Sequence, residues 1–148
     1  MRIGVRIGLD FGTKRIGVAR CDREGLISLP VAVLDASSDW RGALVQVVQE
    51  SEPIEFVVGL PMSLRGQAEL AVESVQAQVQ QLQQGFPGIP VRGVDERLSS
   101  AAANRQLKDA GYSTRDARQL VDALAAAGIL EFALDFERRT GSPAGELL

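Results

Sequence analysis

The chain has 148 residues, 45% of them hydrophobic and 24% charged, with one cysteine, no histidine and a net charge of −3. That length carries one domain with a sizeable core, and no uncharged apolar run approaches a membrane span. Lone Cys21 excludes an intramolecular disulfide framework and a cysteine-rich zinc site, and the missing histidine excludes Ser-His-Asp, Cys-His and His-ligated zinc chemistry. The opening residues Met1 to Arg6 lack the apolar core of a secretion signal, so a cytoplasmic protein without a membrane partner is expected. The acidic balance speaks against indiscriminate nucleic-acid binding. Of the sixteen basic residues, however, only Lys14 and Lys108 are lysines. The rest are arginines, which suit bidentate phosphate contacts.

Residues 3–9 (IGVRIGL) and 15–21 (RIGVARC) read as a β-hairpin joined by Asp10 to Lys14, although their glycines weaken strand propensity. A third strand at 26–34 contains Pro30, which directs it to a sheet edge or a bulge. Trp40, Ala43, Leu44, Val47 and Val48 give residues 38–51 helical periodicity, with Ser38 as N-cap. The continuous apolar Phe56-Val57-Val58 marks a strand at 54–60 buried on both faces. A loop at 61–66 then leads to a helix at 67–84, whose glutamines, Gln78 among them, read as its solvated face. After the breaker segment Gly85 to Pro90 comes a fifth strand at 91–94. Helices at 99–110 and 114–137, split at Gly111, complete the domain at 1–137. Residues 138–148 (RRTGSPAGELL) read as a frayed, flexible tail. The order predicts an α/β fold: a five-stranded mixed sheet, antiparallel meander plus parallel strands, with helices on both faces.

Three acids stand where solvation does not explain them. Asp10 follows an apolar strand and opens a glycine-containing turn, at the strand end where open α/β sheets place ligands. Glu96 lies just past the fifth strand, where a role in the first turn of a helix is the alternative reading. Asp122 interrupts an apolar helix, with Ala125, Ala126 and Ile129 on its own face. Burying such a carboxylate costs several kcal/mol unless a charge compensates it. Either an arginine or a shared metal would answer that cost. Two or three carboxylates can hold Mg²⁺ or Mn²⁺ while leaving positions for water and phosphate oxygens, and the chemistry needs no histidine.

The segments Gly8 to Ala19 (GLDFGTKRIGVA), Val58-Gly59-Leu60-Pro61 with Gly66, Asp95 to Ser100 (DERLSS) and Asp122 to Ala126 with Ile129-Leu130 follow one another in an order that resembles the YqgF/RuvX family. Its members are described as pre-16S rRNA nucleases or Holliday-junction-resolvase-like proteins, and the match runs from about residue 3 to 134. The resemblance implies an RNase H-like fold related to RuvC resolvases. It also implies a divalent-metal nuclease with Asp10, Glu96 and Asp122 as catalytic and metal-binding acids. In RuvC-type relatives an acid lies near the end of the fourth strand, where this chain has Gly59-Leu60-Pro61. Glu96 is then its substitute, with neighbouring Asp95 as an alternative ligand. The basic residues nearest these motifs, Lys14, Arg15, Arg65, Arg97, Arg115 and Arg118, are the candidate nucleic-acid contacts, with Thr13, Ser63, Ser99 and Ser100 as added donors. Family members often carry a lysine-arginine cluster before the helical Asp, which here thins to Arg115 and Arg118.

The implied activity is processing of the pre-16S rRNA 5′ end in ribosome biogenesis, on structured RNA. Resolution of branched DNA by a homodimer and a non-cleaving nucleic-acid-binding module are the alternatives; RNA trimming requires only a monomer. The Asp-Phe-Gly-Thr segment is also similar to the phosphate loop of sugar kinases, actin and heat-shock chaperones, but those folds need more than twice this length. Setting aside Asp10, Glu96 and Asp122 leaves sixteen carboxylates against sixteen basic groups. Metal binding should therefore improve nucleic-acid binding.

Overall fold

In the computed structural model residues 1–61, 69–99 and 115–148 are described, except for the side chains of 69–72 and 115–120. Three strands, β1 (Arg6–Phe11), β2 (Arg15–Cys21) and β3 (Ser28–Asp35), form an antiparallel meander. Helix α1 (Trp40–Ser51) leads to β4 (Glu55–Leu60), and α2 (Glu69–Gly85) leads to β5 (Val91–Asp95), both strands parallel to β1. A 3₁₀ turn (Glu96–Leu98), the long helix α3 (Arg115–Thr140) and β6 (Glu146–Leu147) follow. The sheet order is β3-β2-β1-β4-β5-β6. Ser99, where a helix to 110 is expected to start, is instead extended at the end of the 3₁₀ turn; residues 100–110, the break at Gly111 and the loop residues 62–66 lie outside the described residues.

Strand alternation sorts the interior into two layers. Ile7, Leu9, Phe11, Ile16, Val18, Phe56 and Val58 face α1 and α2, packing with Trp40, Leu44, Val75, Val79 and Leu82. Phe11 meets Trp40 edge to face at 5.5 Å, and Phe56 meets Phe86 in the same way at 5.6 Å. The opposite face packs Ala19, Cys21, Val57 and Val94 on the apolar side of α3, where Ala125 and Ala126 stand beside Ile129 and Leu130. Small residues are needed there because α3 lies close to the sheet. A Cβ at Gly8 would come 2.8 Å from the Ala126 carbonyl oxygen.

Three further expectations need correction. The sheet has six strands, not five. In place of a frayed tail from 138, α3 continues to Thr140 and the chain folds back to lay β6 antiparallel on β5. Ala144 is buried there, and the Leu148 amide donates to the Val91 carbonyl at 2.8 Å. A two-residue strand has no periodicity to read, and its pairing is set by the sheet edge it covers. Helix α1 is capped by Asp39, whose carboxylate accepts the Gly42 amide at 3.1 Å, one residue past the expected Ser38. Pro30 meets both expectations at once: β3 is an edge strand, and its register with β2 slips at Val18/Ala19, opposite Pro30.

Candidate active site at the carboxyl end of the sheet

Asp10 is the penultimate residue of β1 and only 3% exposed. Alternation turns it to the α3 face, the same side as Gly8 and Arg6. Its antiparallel partner is Gly17, with Cα atoms about 5 Å apart. One register step past the Leu9–Val58 pair, the neighbour on the parallel side is Gly59. Asp10 thus stands between two residues that have no side chain, and other groups approach across them. A Cβ at Gly17 would run into the Asp122 carbonyl oxygen, and one at Gly59 would lie 3.5 Å from the Glu96 Cβ. The sequence reads Gly17 as a weakness in its strand, and both glycines as parts of the family motifs, without a structural reason. The structure gives their reason, since α3 and the turn after β5 close over them.

Asp10, Glu96 and Asp122 are therefore brought to one face and one end of the sheet by β1, the 3₁₀ turn and α3. They share that end without closing into a cluster. Among the described residues no group of three or more Asp, Glu or Cys side chains stands close enough together to hold a metal ion. Their oxygen donors suit a hard divalent cation in chemistry.

Asp122 is 6% exposed, on the packed side of its helix as the pattern requires. Its charge is met by Arg15, whose Nε donates to Oδ2 at 2.6 Å. Of the two compensations open to a buried carboxylate, the arginine is present. Arg15, expected on nucleic acid, is turned inward and three-quarters buried.

Asp95 and Glu96 are divided by the turn they begin. Asp95 caps it, accepting the Arg97 amide at 2.9 Å, and its other oxygen takes the Arg97 guanidinium at 2.9 Å. That guanidinium holds the Asp95 carboxyl below its usual range. Asp95 and Arg97 are thus bound to each other at the surface, whereas Glu96 lies against Gly59. The Ser99 hydroxyl donates to the Glu96 carbonyl at 2.8 Å and closes the turn.

Lys14 and Thr13 are exposed at the rim. Arg65, Ser63 and Ser100 lie outside the described residues, as do the side chains of Arg115 and Arg118 on α3. One contact escapes the sequence reading. Gln78 is half-buried, and its amide donates to the Gly12 carbonyl at 3.1 Å, tying α2 to the loop after Asp10. Its position one residue before buried Val79 is the only signal, and it does not separate Gln78 from the solvated glutamines.

Comparison with known proteins adds to this geometry. The family model described as "RuvX: Holliday junction resolvase" matches residues 4–136. A Streptomyces coelicolor protein named "Putative pre-16S rRNA nuclease" is 42% identical over 149 residues, covering 99% of this chain and 89% of that protein. A protein of the same name from Cutibacterium acnes is 39% identical over 132 residues, covering 89% and 82%. Among solved structures, "T. thermophilus RuvC in complex with Holliday junction substrate" matches with a TM-score of 0.62 at 18% identity, over 96% of this chain and 99% of that one. At such identity the likeness is one of fold, and it agrees with an RNase H-like architecture.

Proposed function

The chain belongs to the RuvX family, and from that membership we infer that this nuclease trims the 5′ end of pre-16S rRNA, using Mg²⁺ or Mn²⁺ held by Asp10, Glu96 and Asp122. The name carried by relatives about 40% identical over nearly the whole chain supports the RNA substrate. A cytoplasmic site of action follows from that substrate, and among the described residues no helix is long and apolar enough to cross a membrane.

The observation that carries the chemistry is the placement of Asp10. It is a buried carboxylate at the strand end where open α/β sheets bind ligands, with Glu96 and Asp122 approaching across Gly59 and Gly17. When bound, a divalent ion supplies an activated water and neutralises charge developing on the phosphate. The chain's own part is positioning. Gln78 fixes the loop after Asp10, the Asp95–Arg97 pair fixes the turn that carries Glu96, and the glycine floor sets how closely α3 brings Asp122. Lys14 at the rim, with Arg65, Arg115 and Arg118, is assigned to the phosphate backbone.

The family description favours a second reading, resolution of four-way DNA junctions. Symmetric resolution needs two active sites and hence a homodimer. One assay separates the readings: a 5′-extended pre-16S RNA and a four-way DNA junction, each with Mn²⁺ or with EDTA. RNA cleavage that needs the metal and is lost in Asp10→Asn is expected. Junction cleavage with the RNA intact would shift the substrate to DNA. Tight binding without cleavage of either would make the protein a binding module, and cleavage surviving EDTA would sink the metal mechanism.

A further inference from the structure

The geometry points to Arg15 as a built-in counter-ion that competes with a divalent cation for Asp122, so that metal uptake requires its release. This rests on the assignment of Asp122 as a ligand in the preceding reading. Arg15 opens β2 two residues before Gly17, so both project to the α3 face. Its backbone is fixed, because its carbonyl accepts the Gly12 amide at 2.9 Å. Asp122 is fixed from the other side by the seat of its own carbonyl over Gly17. Between these anchored backbones Arg15 Nε donates to Asp122 Oδ2 at 2.6 Å, a charge-assisted bond with the carboxylate 9% exposed. A guanidinium so near a shielded carboxylate supplies the compensation that burial demands. It also repels any dication drawn to the same oxygen atoms.

Two effects then oppose one another. An arginine bonded to a metal-binding carboxylate orients it, which favours the metal by about tenfold to a hundredfold. Its positive charge, a few ångströms from a dication in a partly dry site, disfavours the metal by more than that. The bond engages one oxygen through one N–H and is not a bidentate fork, so orientation is the weaker effect. Competition wins. Once displaced, the guanidinium stays at the rim beside Lys14, where a phosphate oxygen can take the place of the carboxylate.

The test is Mn²⁺ titration of the full-length protein without nucleic acid, followed by calorimetry. Arg15→Gln keeps a hydrogen-bond donor and removes the charge, and it should bind Mn²⁺ about tenfold more tightly or better. Arg15→Lys, which keeps the charge, should stay close to the parent protein. Unchanged or weaker binding in Arg15→Gln would overturn the competition and leave the metal reading standing. No Mn²⁺ binding by either protein would overturn both. If Arg15→Gln does not fold, the Nε–H proton of Arg15 in the parent protein, assigned by its absence in Arg15→Lys, gives the answer by NMR. It should be protected from exchange without metal and exposed under saturating Mg²⁺; protection that persists would overturn the inference.

Discussion

The face of the sheet beneath α3 is charged at both ends and apolar between them, and the two ends treat their acids differently. At the amino end, Glu55 and Glu137 are each 3% exposed and bound to arginines. Glu55 takes Arg2 at 2.8 Å and Arg92 at 3.3 Å, while Glu137 takes Arg2 at 2.7 Å and Arg6 at 2.9 Å. Three arginines there serve two acids and join the N-terminal residues, three strands and α3. At the carboxyl end Asp10, Glu96 and Asp122 share one face, where Asp122 takes Arg15 at 2.6 Å, and Arg97 is bound to Asp95 beside them. Buried carboxylates alone therefore do not mark a site. Acids that tie the N-terminal residues, the strands and α3 together through arginines fasten the fold, and acids at the carboxyl strand ends beside loops stand where open α/β sheets bind ligands.

Substitutions at the two ends should accordingly fail in different ways. Asp10→Asn should lower cleavage about a thousandfold, the several kcal/mol of a lost metal contribution, and leave the urea midpoint unchanged or higher. A stability loss as large as the activity loss would erase the contrast. Glu137→Ala should do the reverse, costing about 3–5 kcal/mol because it strands Arg6, which is 1% exposed. Activity per folded molecule should hold, and urea unfolding beside an assay at saturating protein reads both. Gly17→Ala touches the carboxyl end through packing. Its Cβ pushes against the Asp122 carbonyl, so about 1–3 kcal/mol of stability and part of the metal affinity should go together.

The pH response sharpens the amino end. Burial pushes the Glu137 carboxyl up, but hydrogen bonds from Arg2 and the charge of Arg6 outweigh it and leave the group below its ordinary value. A depressed acid contributes stability that is fully present at neutral pH. That contribution is lost as pH falls below the ordinary glutamate value of 4.5. The urea midpoint of the parent protein should drop across that window, and Glu137→Gln should flatten the drop. The smallest effect belongs to Arg97→Ala. The guanidinium is exposed and its pair with Asp95 is screened by solvent, so the urea midpoint should barely move.

Much of this arrangement is legible in the sequence, for physical reasons that differ by element. The side of α3 that carries Asp122 follows from helical periodicity, and β4 from an unbroken apolar run, because both of its faces are dry. Asp10 stands out because an acid ends an apolar strand. The partner of Asp122 is not legible: Arg15 is 107 residues away, and only the fold reveals that it turns inward. The amino-end network hides for the same reason, since Arg2, Glu55 and Glu137 meet only once the sheet and α3 are packed. The C-terminal strand is invisible because its order comes from the edge of β5. Gly17 and Gly59 are visible as residues but not as a floor, which needs the helix above them.

The most direct measurement of the central claim, that the carboxyl-end acids hold the metal and the amino-end acids hold the fold, is one Mn²⁺ titration of three proteins. The parent protein and Glu137→Gln should bind with the same affinity, and Asp10→Asn should lose binding. Equal binding by Asp10→Asn and the parent protein would contradict the account.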